Sequence, residues 1–86
     1  MSEQAEVKIS FDDFCEVITD EIISAYFSEE RAINYAAGWL KREFYAIHER
    51  YLEALDCTLQ SALVMAEDAL LNELELIREN FKKAYL

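Results

Sequence analysis

The side chains of this 86-residue chain best suited to metal binding, nucleophilic attack or proton transfer are one histidine, two cysteines and eighteen carboxylates. Nucleophilic catalysis needs a nucleophile within reach of a base that a third group orients. His48, three and four residues from Phe44, Tyr45, Tyr51 and Leu52, has no carboxylate or thiol among those helical neighbours. It reads as a structural or surface histidine. Carboxylate-bridged metal sites in helical proteins use Glu-x-x-His pairs, and Tyr45 stands where that Glu would be. Glu67, Asp68, Glu73 and Glu75 fall off the apolar stripe of their own segment and are expected on a solvated face. Cys15 and Cys57 have neither CxxC nor Cys/His spacing, and two cysteines are too few for a disulfide framework. Both are expected to act as small buried hydrophobes in a reducing cytoplasm. A single glycine leaves no phosphate-cradling loop. The expectation is a protein that is not an enzyme, with no catalytic residue, cofactor or metal.

The carboxylates matter in another way. Eighteen acids against eight bases give a net charge of −10, and residues 1–30 hold nine of those acids against Lys8 alone. Residues 31–56 are balanced, with four acids against Arg31, Lys41, Arg42 and Arg50. Asp12, Glu16 and Asp20 stand at i, i+4 and i+8, with Asp13 three residues before Glu16. Like charges at i, i+4 destabilise a helix by roughly 0.2–0.5 kcal/mol per pair. An arrangement that costs stability invites a function. Carboxylates four residues apart lie about 6 Å apart along a helix axis, a spacing suited to a row of Lys and Arg built to grip a phosphate backbone. The candidate partner-binding residues are therefore Asp12, Asp13, Glu16, Asp20, Glu21, Glu29 and Glu30. The competing reading of the same residues is an ordinary solubilising coat.

These residues must be positioned by helices, because one Gly and no Pro leave little turn chemistry while 53% of residues are hydrophobic. Ser10 with Asp13 three residues on is an N-cap pattern. Phe11, Phe14 or Cys15, Ile18, Ile22 and Tyr26 then recur on one helical face. Ser28 followed by Glu29 and Glu30 reads as the next helix start. Ile33, Ala37, Leu40, Phe44, Ile47 and Tyr51 form a heptad seam. The seam falters at Asp56-Cys57-Thr58, where Asp56 is a candidate cap, and resumes through Leu59, Leu63, Ala66, Leu70, Leu74, Ile77, Phe81 and Ala84. The spacing predicts an all-α three-helix bundle with helices at about 11–27, 29–55 and 57–85, a short first helix packed on a long hairpin. A continuous helix over 29–85 is the alternative. Residues 1–9 are expected as a flexible lead-in and 10–86 as one helical domain.

The first helix is too short to cover the whole hairpin. Tyr35, Trp39, Tyr45 and Phe81 add apolar surface that three helices do not readily hide, so they are the candidate self-association residues of a dimer. The acidic, polar start carries no signal-peptide pattern. The longest apolar run, Ala62 to Ala66, is far below the roughly 20 residues that span a bilayer. The charge disfavours direct contact with nucleic acid or an anionic membrane. The expected protein is a small cytoplasmic inhibitor or adaptor that occupies the basic, nucleic-acid-binding surface of a protein partner. Small acidic proteins of phages and plasmids that disable host defences work in this way, and the likeness is one of charge and size alone. The alternative is an assembly module that self-associates through apolar helix faces.

Overall fold

Ser10 starts the first helix as expected. Its backbone is extended and its hydroxyl accepts the Asp13 N–H at 3.1 Å, satisfying one of the donors a helix leaves open at its N-terminus. In the computed structural model, which describes residues 7–85, helix α1 then runs Phe11–Glu21 and buries Phe14 and Ile18. The expected continuation to residue 27 instead tightens into a 3₁₀ turn, Ile23–Ala25, with i→i+3 bonds from Ala25 to Ile22 and Tyr26 to Ile23. That turn sends both Ile23 and Phe27 into the core.

The next start does not use the expected cap. Glu29 holds the extended N-cap position of α2, Glu30–Trp39, without a side-chain capping bond. The single helix expected over 29–55 is two: Leu40 leaves helical geometry at φ −95°, ψ 4°, and α3 follows at Lys41–Glu53. The break is a kink, because Leu40 N–H still donates to Ala36 and Phe44 N–H to Leu40. Its cause lies in the buried set, which is Ala32, Ala36, Leu40, Phe44 and His48. Four-residue steps on a helix with 3.6 residues per turn rotate by about 40° each, or about 160° from first to last. A straight helix cannot keep all five against one neighbour.

Helix α4, Leu59–Tyr85, is capped by Thr58, whose hydroxyl accepts the Ser61 N–H at 3.1 Å, and not by Asp56. Residues 54–58 are not helical, so the continuous 29–85 alternative is excluded. The described residues are thus all-helical, with four α-helices and no strand.

Helix α4 folds back along α3 and then α2. Trp39 Nε1 donates to Glu73 at 3.2 Å, and Tyr35 meets Phe81 and Tyr85. Large and small residues alternate between the two layers. Buried Phe44, His48 and Tyr51 on α3 lie along the half of α4 that offers Ala62 and Ala66, while Ala32 and Ala36 on α2 lie along the half that offers Leu70 and Ile77. Close packing of two antiparallel layers requires such complementarity. Helix α1 lies across α2 and α3, with Phe11 edge-on to Tyr45 at 5.5 Å and Phe14 against His48 and Tyr51.

Lys8 and Ile9, which fall in the expected lead-in, are tethered to the α3 end of this layer. Residues 1–6 of that lead-in lie outside the described residues. Ile9 N–H donates to the Tyr51 hydroxyl at 3.0 Å, and Ile9 C=O lies 2.9 Å from His48 Nε2. A carbonyl can only accept, so Nε2 carries the proton. The Lys8 ammonium donates to Cys57 C=O at 2.8 Å and sits 4.3 Å from the centre of the Tyr51 ring. His48 is buried among Phe11, Phe14 and Tyr51, a structural histidine that pins the segment before α1.

Candidate partner-binding face

Burying Phe14 and Ile18 dictates which way the rest of α1 points. At 100° per residue, Asp12, Asp13, Glu16 and Asp20 fall on the opposite side, and all four are exposed. Among the described residues, none of the seven candidate carboxylates forms an ion pair. The ion pair that is present, Arg78 to Glu75 at 3.6 Å, is on α4.

The structure groups four of the seven. Glu21 lies around the side of α1, next to Ile22, Leu63, Val64 and Glu67. Glu29 and Glu30 stand at the start of α2 beside Arg31 and Asn34, beyond the 3₁₀ turn. They are exposed but belong to a different place from the α1 row. The face is therefore Asp12, Asp13, Glu16 and Asp20.

The candidate self-association residues separate in a similar way. Tyr35, Trp39 and Phe81 are half-buried in a cluster with Tyr85, with ring centres 4.9–6.1 Å apart, and the Arg31 guanidinium lies 5.2 Å from the Tyr85 ring. Their apolar surface is largely spent within their own chain. Tyr45 stands apart on α3, half-exposed against Phe11.

Two of the carboxylates expected on a solvated face are instead structural. Glu67 accepts the Tyr26 hydroxyl at 2.8 Å and Glu73 accepts the Trp39 indole, both half-buried, while Asp68 and Glu75 are exposed. Amphipathic Tyr and Trp need a polar partner at their tips, and an i, i+3 stripe alone does not reveal it. The hydrogen bond to Glu67 lifts the Tyr26 phenol above its ordinary range, with desolvation and the carboxylate's charge adding to it.

Where α1 crosses the kink, the helices leave a hollow of about 230 Å³ lined by Cys15, Thr19, Ala37, Gly38, Lys41 and Phe44. The Thr19 hydroxyl is turned back to Cys15 C=O at 2.8 Å and so adds little polarity to the wall. Partial burial pushes the Cys15 thiol up, the Lys41 ammonium opposes that, and the Asp12 carboxylate adds to it. Because the folded thiol is raised, its share of stability is present below the unfolded thiol's pKa and is lost as pH rises through the folded one. In a Cys57→Ala background, alkylation of Cys15 at fixed mildly alkaline pH is therefore expected to slow further with Lys41→Met and to speed up with Asp12→Asn. A pH profile of the alkylation rate checks both directions. The hollow was not anticipated from the sequence, where the one available signal is a lone glycine inside a helical stretch.

Among the described residues, no group of three or more His, Cys, Asp or Glu side chains is arranged to hold a metal ion. No helix there is long and apolar enough to cross a membrane. No protein-family model, curated protein or solved structure matches the chain. Fold and face together define an all-α protein that presents an acidic helix.

Proposed function

We propose that this protein binds another protein, docking the α1 row of Asp12, Asp13, Glu16 and Asp20 on a basic surface that otherwise holds a phosphate backbone, and so acts as an inhibitor or adaptor. The observation that carries the reading is the exposure of these carboxylates on one side of α1, with no ion pair to them among the described residues. A cationic partner relieves their mutual repulsion and gains a fast on-rate from opposite-charge steering.

The test is a triple substitution, Asp12→Asn, Glu16→Gln and Asp20→Asn. Removing two like-charge i, i+4 pairs is expected to raise stability by roughly 0.4–1 kcal/mol, read by urea denaturation. In pull-downs from the native host at low and moderate salt, the unaltered protein should retain a nucleic-acid-binding protein that added DNA displaces and that moderate salt releases. The triple variant should lose it. Retention of the same partner by the triple variant would end this reading.

Self-association is the second reading. It draws support from Val64 and Leu71, one heptad apart on α4 and each nearly half exposed, and from Tyr45. Sedimentation of the purified protein at two concentrations distinguishes it, since a monomer at both removes it.

A further inference from the structure

Gly38 is the chain's one glycine, and the fold does not explain it. It lies inside α2 without a positive φ, and a Cβ built on it would meet nothing within 4 Å. A glycine in a helix interior costs stability relative to alanine. It lines the hollow between α1 and the α2–α3 kink, together with Cys15, Thr19, Ala37, Lys41 and Phe44. That hollow is bordered by the acidic row, because Cys15 and Thr19 in its wall immediately precede Glu16 and Asp20 on the same helix.

We infer that this hollow is an anchor pocket for a single apolar side chain of the basic partner, with Gly38 in its wall and the carboxylates of α1 meeting the cationic side chains that flank the anchor. The inference rests on the docking role proposed above and specifies the partner's chemistry. Size and charge both favour this occupant. A space of about 230 Å³ exceeds the roughly 150 Å³ that holds a benzene ring and falls below the roughly 300–1,000 Å³ of sites for larger ligands. It suits one Leu, Met or Phe side chain. Interfaces concentrate their affinity in such desolvated anchors, and the surrounding charges set register and rate. Lys41 in the wall repels a cationic occupant. The partner's Lys and Arg are thereby directed to the α1 side, and an uncharged residue to the hollow.

The probe is a synthetic helical peptide with Arg at i, i+4 and i+8 and one Leu flanking that row, compared with the same peptide carrying Ala for Leu. In amide-resolved NMR titrations, the Leu peptide should shift Glu16 and Asp20 together with Ala37 and Gly38. The Ala peptide should bind about 10-fold more weakly, as is typical when one anchor side chain is lost. Gly38→Leu should abolish the difference between the peptides without lowering the melting temperature. Gly38→Ala, which leaves most of the space free, should melt higher than the parent and keep the preference. Equal affinity of the two peptides, with shifts along α1 only, overturns the anchor pocket and leaves the docking role standing. Absence of shifts at Asp12, Glu16 and Asp20 with either peptide overturns both.

Discussion

Phe14→Ala is expected to destabilise the protein by about 3–5 kcal/mol, the range for truncating a fully buried Phe. Phe14 has no exposed surface, stacks on Tyr51 at 6.0 Å and 9°, and lies 5.3 Å from the His48 ring. Truncation therefore removes one of the two α1 aromatic side chains packed on α3, leaving Phe11, and opens a cavity beside the two side chains that hold Ile9. A domain of this size has a total stability of about 4–13 kcal/mol at the usual per-residue value. The variant should lose a large part of it, and α1 with its carboxylates should be the first element to detach. Urea denaturation followed by circular dichroism reads the stability, and amide hydrogen exchange along α1 reads the detachment. Ile18→Val, at the other buried position of α1, should cost only about 0.5–1.5 kcal/mol. A Phe14→Ala variant within 1 kcal/mol of the parent would show that α1 is not seated on α3 as described.

The consequence for function is that the acidic row depends on very little. Two fully buried side chains, the half-buried Phe11 and Cys15 and the Ser10 cap hold a helix whose outer side carries like-charge repulsion. The geometry of the row, on which the proposed docking depends, is set by hydrophobic contacts on the opposite side of α1.

How much of this was legible before the structure follows from residue type. The cap at Ser10, the exposed acidic row, and Leu40, Phe44 and Tyr51 as core positions all carry signals that do not depend on tertiary context, and each is found as expected. Elsewhere the buried seam lies one residue away from the isoleucine and alanine positions that the apolar spacing favours. Ile33, Ala37 and Ile47 are half-buried, while Ala32, Ala36 and His48 lie inside. Hydrophobicity favours an isoleucine over an alanine or a histidine, but a close helix crossing favours the smallest residue, and His48 is admitted because Ile9 C=O satisfies its ring N–H. The kink at Leu40 was hidden for a related reason: it is required by the path of the buried face, and neither Pro nor a left-handed Gly marks it. Likewise, the grouping of Tyr35, Trp39 and Phe81 joins residues some forty positions apart, which periodicity within one helix does not reach. The hollow at Gly38 depends on three helices at once, and beyond that lone glycine no one of them carries a signature of it.

Those small buried residues lead to the second large effect. Ala66→Leu is expected to cost about 1–3 kcal/mol, the usual penalty for overpacking, although it adds apolar surface. Leu and Ala are both good helix formers, so intrinsic propensity does not account for a loss. Ala66 is fully buried on the half of α4 that lies along α3, where Phe44, His48 and Tyr51 already fill the space between the layers. Three further carbons force either the aromatic residues off their rotamers or α4 away from α3, and the second route also strains the Lys8 contact to Cys57 and the Tyr51 contact to Ile9. Val64→Leu, two residues earlier on the same helix but half-exposed, adds volume where nothing resists it and should stay within about 0.5 kcal/mol. Thermal and urea unfolding of the two variants side by side separate added bulk from its location. Equal stability of Ala66→Leu and the parent would mean that the layers are not in close contact at this point, and that the alternation of large and small residues across the seam does not determine the spacing of the helices.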